Sequence, residues 1–262
     1  MLILLPPSET KTAPASGAAV DPEQLSFPSL DDDRRRVLTA LERVSGQRNA
    51  LEALGVGASL SEEVRRNLSL RTAPAAPALE VYTGVLYDAL GPQTLTEAQR
   101  AAAAESVVVI SALWGAVRPT DRIPAYRLSM GTALRGLGRR EAMRLSSFWK
   151  PRLRAALGPE AEGRLVVDCR SAAYAAAFEA PARSTVAVRA VREQDGTRRV
   201  VSHFAKHTRG ELARHLLELA GQGAEISTAH ELAEAASARW QVELEEPADS
   251  RPGRLTVVLP GP

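Results

Sequence analysis

The sequence predicts an α/β protein, and three observations carry that prediction. Short apolar, β-branched runs, Leu2 to Leu5, Ser106 to Ile110 and Arg164 to Cys169, read as buried strands. Between them lie stretches with apolar residues at helical spacing, such as Arg34 to Val44 with Val37, Leu38, Leu41 and Val44. No apolar run approaches the ~18 residues of a membrane span, and the first residues lack the basic start of a signal peptide. A soluble, cytoplasmic protein with no membrane partner is therefore expected. Its 262 residues suffice for one large core. The single cysteine, Cys169, excludes an internal disulfide and any multi-cysteine metal cluster.

Taken in order, the first strand breaks at Pro6-Pro7 and opens into Ser8-Glu-Thr-Lys11. A strand leading into Ser-x-x-Lys resembles an anion cradle, but it lacks the glycines of a P-loop, and no helical pattern follows it. Residues 12–33 read as a surface loop. Asp31 to Asp33 then suit the positive end of the helix that follows. Leu51 to Gly57 with Val64 resembles a helix-hairpin-helix, whose Gly-x-Gly amides meet phosphates; two short helices joined by a glycine turn fit it as well. Val81 to Tyr87 looks strand-like with a glycine bend, Leu95 to Ala104 is an alanine-rich helix, and Glu141 to Leu157 is a helix with a kink expected at Pro151. Val186 to Arg192 and Arg198 to Lys206 alternate around Asp195-Gly196, a hairpin signal. Thr208 and Glu211 are read as the capping box of a helix through Leu219, with Lys206 and Arg209 flanking an anion-friendly start. A helix from Thr228 to Trp240 and strands at 241–245 and 254–259 complete the chain.

Chemistry-bearing residues gather at the ends of the strands. Ser111 to Gly131 leaves a buried strand and is held extended by Pro119 and Pro124; it carries Ser111, Trp114, Arg118, Asp121, Arg122, Tyr126 and Arg127. The same residues also suit a braced turn, with Arg118 paired to Asp121. Asp168, Ser171 and Tyr174 form a second polar strand end, and Tyr82 and Tyr87 are suited to stacking on a base or to closing a core edge. From Arg118 to Arg154 ten basic residues stand against Asp121 and Glu141, which suggests an electropositive face; the helical part of that stretch also suits an ordinary solvated surface. Only Lys11, Lys150 and Lys206 among 33 basic residues are lysines, and a lysine can titrate where arginine cannot. The four histidines, His203, His207, His215 and His230, show no ligand spacing, so no metal and no cofactor is expected.

Together these segments resemble the YaaA family. The resemblance rests on Met1 to Ser8 with Lys11, Tyr82-Thr-Gly-Val-Leu-Tyr87, Ser111 to Pro119, Pro124 to Gly131, Phe148-Trp149, Ser171-Ala-Ala-Tyr174 and Phe204-Ala-Lys206 with Arg209-Gly210. It implies a single domain over 1–262 of unusual topology, a mixed sheet flanked by helices, with a positively charged cleft. It also implies DNA binding in the peroxide stress response, limiting damage driven by free intracellular iron.

Two functions therefore compete. In the first, the protein binds double-stranded DNA. In the second, it is an enzyme acting on a nucleotide, nucleobase or other phosphorylated small molecule. There Lys11, Asp121 and Lys206 handle protons, while in either reading Ser8, Tyr82, Tyr87, Ser111, Trp114, Arg118, Tyr126, Arg127, Ser171, Tyr174 and Arg209 hold the anion or nucleic acid. Convergence of these residues in a closed pocket favours the second; a groove as wide as a duplex favours the first.

Overall fold

Four consecutive buried side chains make β1 (Leu2–Leu5) a strand without a polar face, and such a strand must be covered on both sides. The computed structural model, which describes residues 1–138, 141–194, 197–199 and 201–260, places it near the middle of a mixed sheet of eight strands flanked by helices. The chain then builds α1 (Asp31–Ser45), α2 (Ala50–Leu54), α3 (Ser61–Arg66), β2 (Ala76–Pro77), α4 (Ala78–Val81), α5 (Val85–Leu90) and α6 (Glu97–Ser106). There follow β3 (Val107–Ser111), β4 (Gly115–Val117), β5 (Arg122–Ile123), β6 (Ala133–Leu134), β7 (Met143–Arg144) and α7 (Leu145–Ala161). The last part comprises β8 (Val166–Asp168), α8 (Ala172–Ala175), β9 (Thr185–Gln194), β10 (Thr197–Arg199), α9 (Ser202–Gly221), α10 (Ala229–Ser237), β11 (Gln241–Glu245) and β12 (Gly253–Pro260).

The strand order is β11-β12-β9-β8-β1-β3-β4, with β10 paired on β9. From β12 to β3 all neighbours are parallel, while β11 and β4 join antiparallel at the two edges. The carboxyl ends of β1, β3 and β8 therefore open on one side of the molecule, where parallel sheets place their ligands. These strands form one domain with a continuous buried core.

Arg34 fixes the corner after β3. Its side chain is wholly buried, yet each of its three nitrogens finds a partner: the carbonyls of Trp114 (3.0 Å), Ala116 (2.8 Å) and Ser26 (2.6 Å), and Asp31 (2.8 Å). A buried guanidinium is tolerable only when satisfied in this way. At the same corner Gly115 has φ +71°, and a Cβ there would lie 2.7 Å from the Trp149 ring. The indole of Trp149 in turn donates to the Ala112 carbonyl (2.8 Å).

The structure corrects several expectations. Val81 to Tyr87 is not a strand: α4 ends at Val81 and α5 begins at Val85, separated by Gly84 at φ 86°. The β-branched residues there misled, because burial against the core overrides a weak local propensity. The strand expected over 198–206 stops at Arg199, and α9 already begins at Ser202. Thr208 is consequently a buried residue inside α9 and caps nothing, because Ala205, Thr208 and Leu212 continue the inward stripe of that helix. The helix expected over Glu141 to Leu157 begins only at Leu145, after β7, and runs to Ala161 through both Pro151 and Pro159. The Asp195-Gly196 turn lies outside the described residues. Among the described residues no helix is long and apolar enough to cross a membrane.

Candidate functional site

At the carboxyl ends of β1 and β8 lies a cavity of about 580 Å³. Ser8, Tyr87, Arg127, Ser171, Tyr174, Lys206 and Arg209 all line it, brought from segments scattered over most of the chain. Its walls come from the loop after β1, the α2–α3 turn, the start of α5, the loop after β8 and the first turns of α9. A smaller depression of about 310 Å³, around Pro14 and Arg122, contains none of these seven residues.

The loop after β1 is held by main-chain and hydroxyl contacts. Pro6 and Pro7 end the strand, and the Tyr87 hydroxyl donates to the Pro6 carbonyl (2.8 Å). Ser8 Oγ accepts from the Thr83 amide (3.0 Å) and donates to the Thr10 carbonyl. With both roles filled, this hydroxyl acts as a clasp between the loop and the α4–α5 junction. The Thr12 amide extends the clasp to the Val81 carbonyl (2.9 Å).

The cations are anchored individually. Arg127 Nη1 donates to the Glu9 carbonyl (3.0 Å), and its guanidinium stands 3.5 Å from Glu63. The Lys206 ammonium lies 3.9 Å from the Glu9 carboxylate. Arg209 directs Nε and Nη2 onto the Val188 carbonyl of β9 (3.1 and 2.9 Å). Burial pushes the Tyr174 hydroxyl up to about 12, and the nearby Met130 amide works against that rise. Burial likewise pushes the Cys169 thiol, which borders the cavity, up to about 12, against the pull of Arg209.

Lys11 stands behind this wall. Its Nζ donates to the Ser8 carbonyl (2.7 Å) and lies 4.2 Å from the centre of the Tyr126 ring and 5.6 Å from that of Tyr82. Burial first, and the Arg127 charge second, lower its pKa to about 7. Lys11 and Lys206 thus bracket the same loop, from its buried and its open side.

The remaining expected site residues do not line the cavity. Tyr82, Ser111, Trp114 and Tyr126 form a buried chain. The Trp114 amide donates to Ser111 Oγ (3.0 Å), Ser111 Oγ meets the Tyr126 hydroxyl (2.7 Å), and Tyr126 meets the Tyr82 hydroxyl (3.1 Å). Asp121 accepts from the Ser26 amide and hydroxyl (3.0 and 2.8 Å) and from the Arg118 amide (2.8 Å), so its carboxylate closes a turn. Arg118 pairs with Glu160 (2.7 Å) and donates to the carbonyls ending α6. Part of the expected electropositive stretch is tied to the protein's own acceptors in this manner: Arg122, itself exposed, holds the Ala75 carbonyl (2.6 Å), and Arg152 pairs with Asp33 (2.7 Å).

Two residues that the sequence did not single out matter here. Glu9 touches both Arg127 and Lys206, and its place in Ser8-Glu-Thr-Lys11 was the available signal. Asn67 grips the main chain of Arg127 from a fully buried position, and nothing in its sequence surroundings announces this.

Fold and site together define an α/β protein with a cation-lined, small-molecule-sized cavity at the strand ends of a largely parallel sheet. The chain belongs to the peroxide stress protein YaaA family, which it matches over residues 1–246. It is 46% identical over 267 residues to a UPF0246 protein of Streptomyces coelicolor, covering 99% of this chain and 98% of that one. A UPF0246 protein of Corynebacterium efficiens is 44% identical over 260 residues, covering 99% of this chain and all of its own. One from Dinoroseobacter shibae is 32% identical over 229 residues, covering 83% of this chain and 82% of that one.

Proposed function

We propose that this protein serves a peroxide stress role by binding a nucleotide-sized anion in the cavity after β1 and β8. The observation that carries this reading is the convergence of Arg127, Lys206 and Arg209 with Ser8, Ser171, Tyr87 and Tyr174 on one space of about 580 Å³. Such a volume suits a small ligand, and a duplex about 20 Å across does not enter it. Hydroxyls and cations gathered on one space also suit an enzyme acting on that ligand, with the Lys206 amine at the mouth. Calorimetric titration of the full chain with nucleotides tests the reading: saturable binding, weakened at least about tenfold by Arg127→Met, supports it. Binding indifferent to Arg127 and Lys206 overturns it.

The DNA-binding reading, in which the protein binds DNA and limits damage driven by free intracellular iron, draws on a separate observation. The glycine turn between α2 and α3, Gly55 with φ 66°, borders the same cavity that Arg127 lines. A phosphate backbone resting on that turn would bring one nucleotide to the cavity mouth. Duplex affinity should then fall with log salt at a slope of about −0.9 per phosphate neutralised. A flat response, or no binding at low salt, removes this reading and leaves the first intact.

A further inference from the structure

The charges lining the cavity define a narrower ligand class, and this step rests on the anion-binding reading above. We infer that the cavity takes a phosphate monoester carried on a ring-bearing molecule, the chemistry of a nucleoside monophosphate, and that Glu9 sets its preference against polyphosphates.

The lining holds three cations, Arg127, Lys206 and Arg209, against one carboxylate, Glu9, a balance of two positive charges. Cys169 and Tyr174, with burial holding each near 12, add none at neutral pH. Behind the lining stand Glu63, beside Arg127, and Lys11, beneath Ser8; with its pKa lowered to about 7, Lys11 offsets Glu63 only in part at neutral pH. A phosphate monoester carries about −1.5 to −2 at neutral pH, because its second pKa is about 6. It therefore matches the lining, whereas each further phosphate adds charge that the lining does not answer.

Geometry places the one carboxylate where it discriminates. The Glu9 carbonyl accepts from Arg127 and its carboxylate faces Lys206, so it sits between two of the cations. A compact dianion can engage Lys206 together with the Arg209 Nη1 left over from the Val188 contact. A polyphosphate long enough to run on toward Arg127 must pass the Glu9 carboxylate, and the two like charges repel there. The remaining lining suits a ring: Leu54, Val56, Leu86 and Leu128 supply apolar surface, and Tyr174 adds an aromatic face.

The test is calorimetric titration of the full chain with inorganic phosphate, adenosine and guanosine 5′-monophosphates and the matching triphosphates. The native protein should bind a monophosphate at least about tenfold tighter than its triphosphate and than inorganic phosphate. Glu9→Gln should bring the monophosphate-to-triphosphate ratio close to one by strengthening triphosphate binding. Glu9 is 78% exposed, so this variant should fold normally. Triphosphates binding as well as or better than monophosphates, or a ratio unmoved by Glu9→Gln, overturns the inference. Absence of all anion binding, or binding unchanged by Lys206→Met and Arg127→Met, instead overturns the reading beneath it.

Discussion

Asn67, fully buried, holds Arg127 by both of its main-chain polar groups: the Arg127 amide donates to Oδ1 and Nδ2 donates to the Arg127 carbonyl, each at 2.9 Å. The same Nδ2 also reaches Ser45 Oγ (3.1 Å), tying the arginine to the end of α1. A side chain that mimics a neighbouring strand thus fixes where the Arg127 guanidinium emerges. Asn67→Ala leaves a buried amide and carbonyl unpaired, at a cost of about 2–4 kcal/mol, read as a lower denaturation midpoint. Anion affinity should fall with it, although Asn67 does not line the cavity. Native affinity in a folded Asn67→Ala protein would show that Arg127 is positioned by other contacts.

A second prediction concerns the close approach of α5 and α9, which together form one wall of the cavity. A Cβ on Gly210 would stand 2.1 Å from the Leu86 carbonyl and 2.9 Å from Ala89 Cβ, so the helices touch backbone to backbone there. Gly210→Ala must push them apart, with an expected loss of about 1–3 kcal/mol or more. Thermal melts check this, and a melting temperature equal to that of the native chain would mean the two helices sit further apart than described. Gly210 is not in the left-handed region, so the penalty is one of space and not of backbone strain.

How far the sequence exposes this arrangement depends on the kind of signal. The runs Leu2 to Leu5 and Ser106 to Ile110 were legible as strands, the second shifted by one residue to Val107–Ser111, because a strand buried on both faces has no alternative composition. The helix expected from Thr228 is found as α10, its start fixed by a capping box of Thr228 with Glu231 that the sequence did not single out. Thr208 and Glu211 show the same spacing and yet lie inside α9, because the inward stripe extends past them to Ala205. Site residues divided similarly. Arginines, serines and tyrosines at strand ends mark the neighbourhood, but only the tertiary fold separates Arg127, which faces the cavity, from Arg118, which pairs with Glu160. Ser111 and Tyr126 carry suitable chemistry and spend it on each other. Asn67 could not be found from sequence at all, since its role is defined by a partner sixty residues away.

Cys169 bears on the family's link to peroxide. Its thiol is fully buried, and burial raises it to about 12. Peroxide attacks the thiolate, and at pH 7 such a thiol is ionised in roughly one molecule in 10⁵. Native protein should therefore resist both hydrogen peroxide and iodoacetamide, with labelling appearing only on unfolding in urea. Mass spectrometry of the Cys169 peptide decides it; rapid sulfenic acid formation in the native chain would make this residue a peroxide sensor and contradict the buried geometry.

Lys11 should impose a pH dependence on stability. Its folded pKa of about 7, lowered by burial and by Arg127, lies below the roughly 10.4 of an unfolded lysine. Between those values the unfolded chain binds a proton that the folded chain does not, so the contribution of Lys11 to stability rises with pH. The slope is at most about 1.4 kcal/mol per pH unit. Below pH 7 both states are protonated, and the full cost of burying the ammonium is present and constant. Lys11→Met abolishes this titration while retaining an unbranched apolar stem beside Tyr126. Urea midpoints of the two proteins, compared from pH 6 to pH 10, should diverge in favour of the native chain only above pH 7. Parallel curves throughout would mean that Lys11 keeps an ordinary ammonium, screened by Glu9 and Glu63 more than the buried geometry implies.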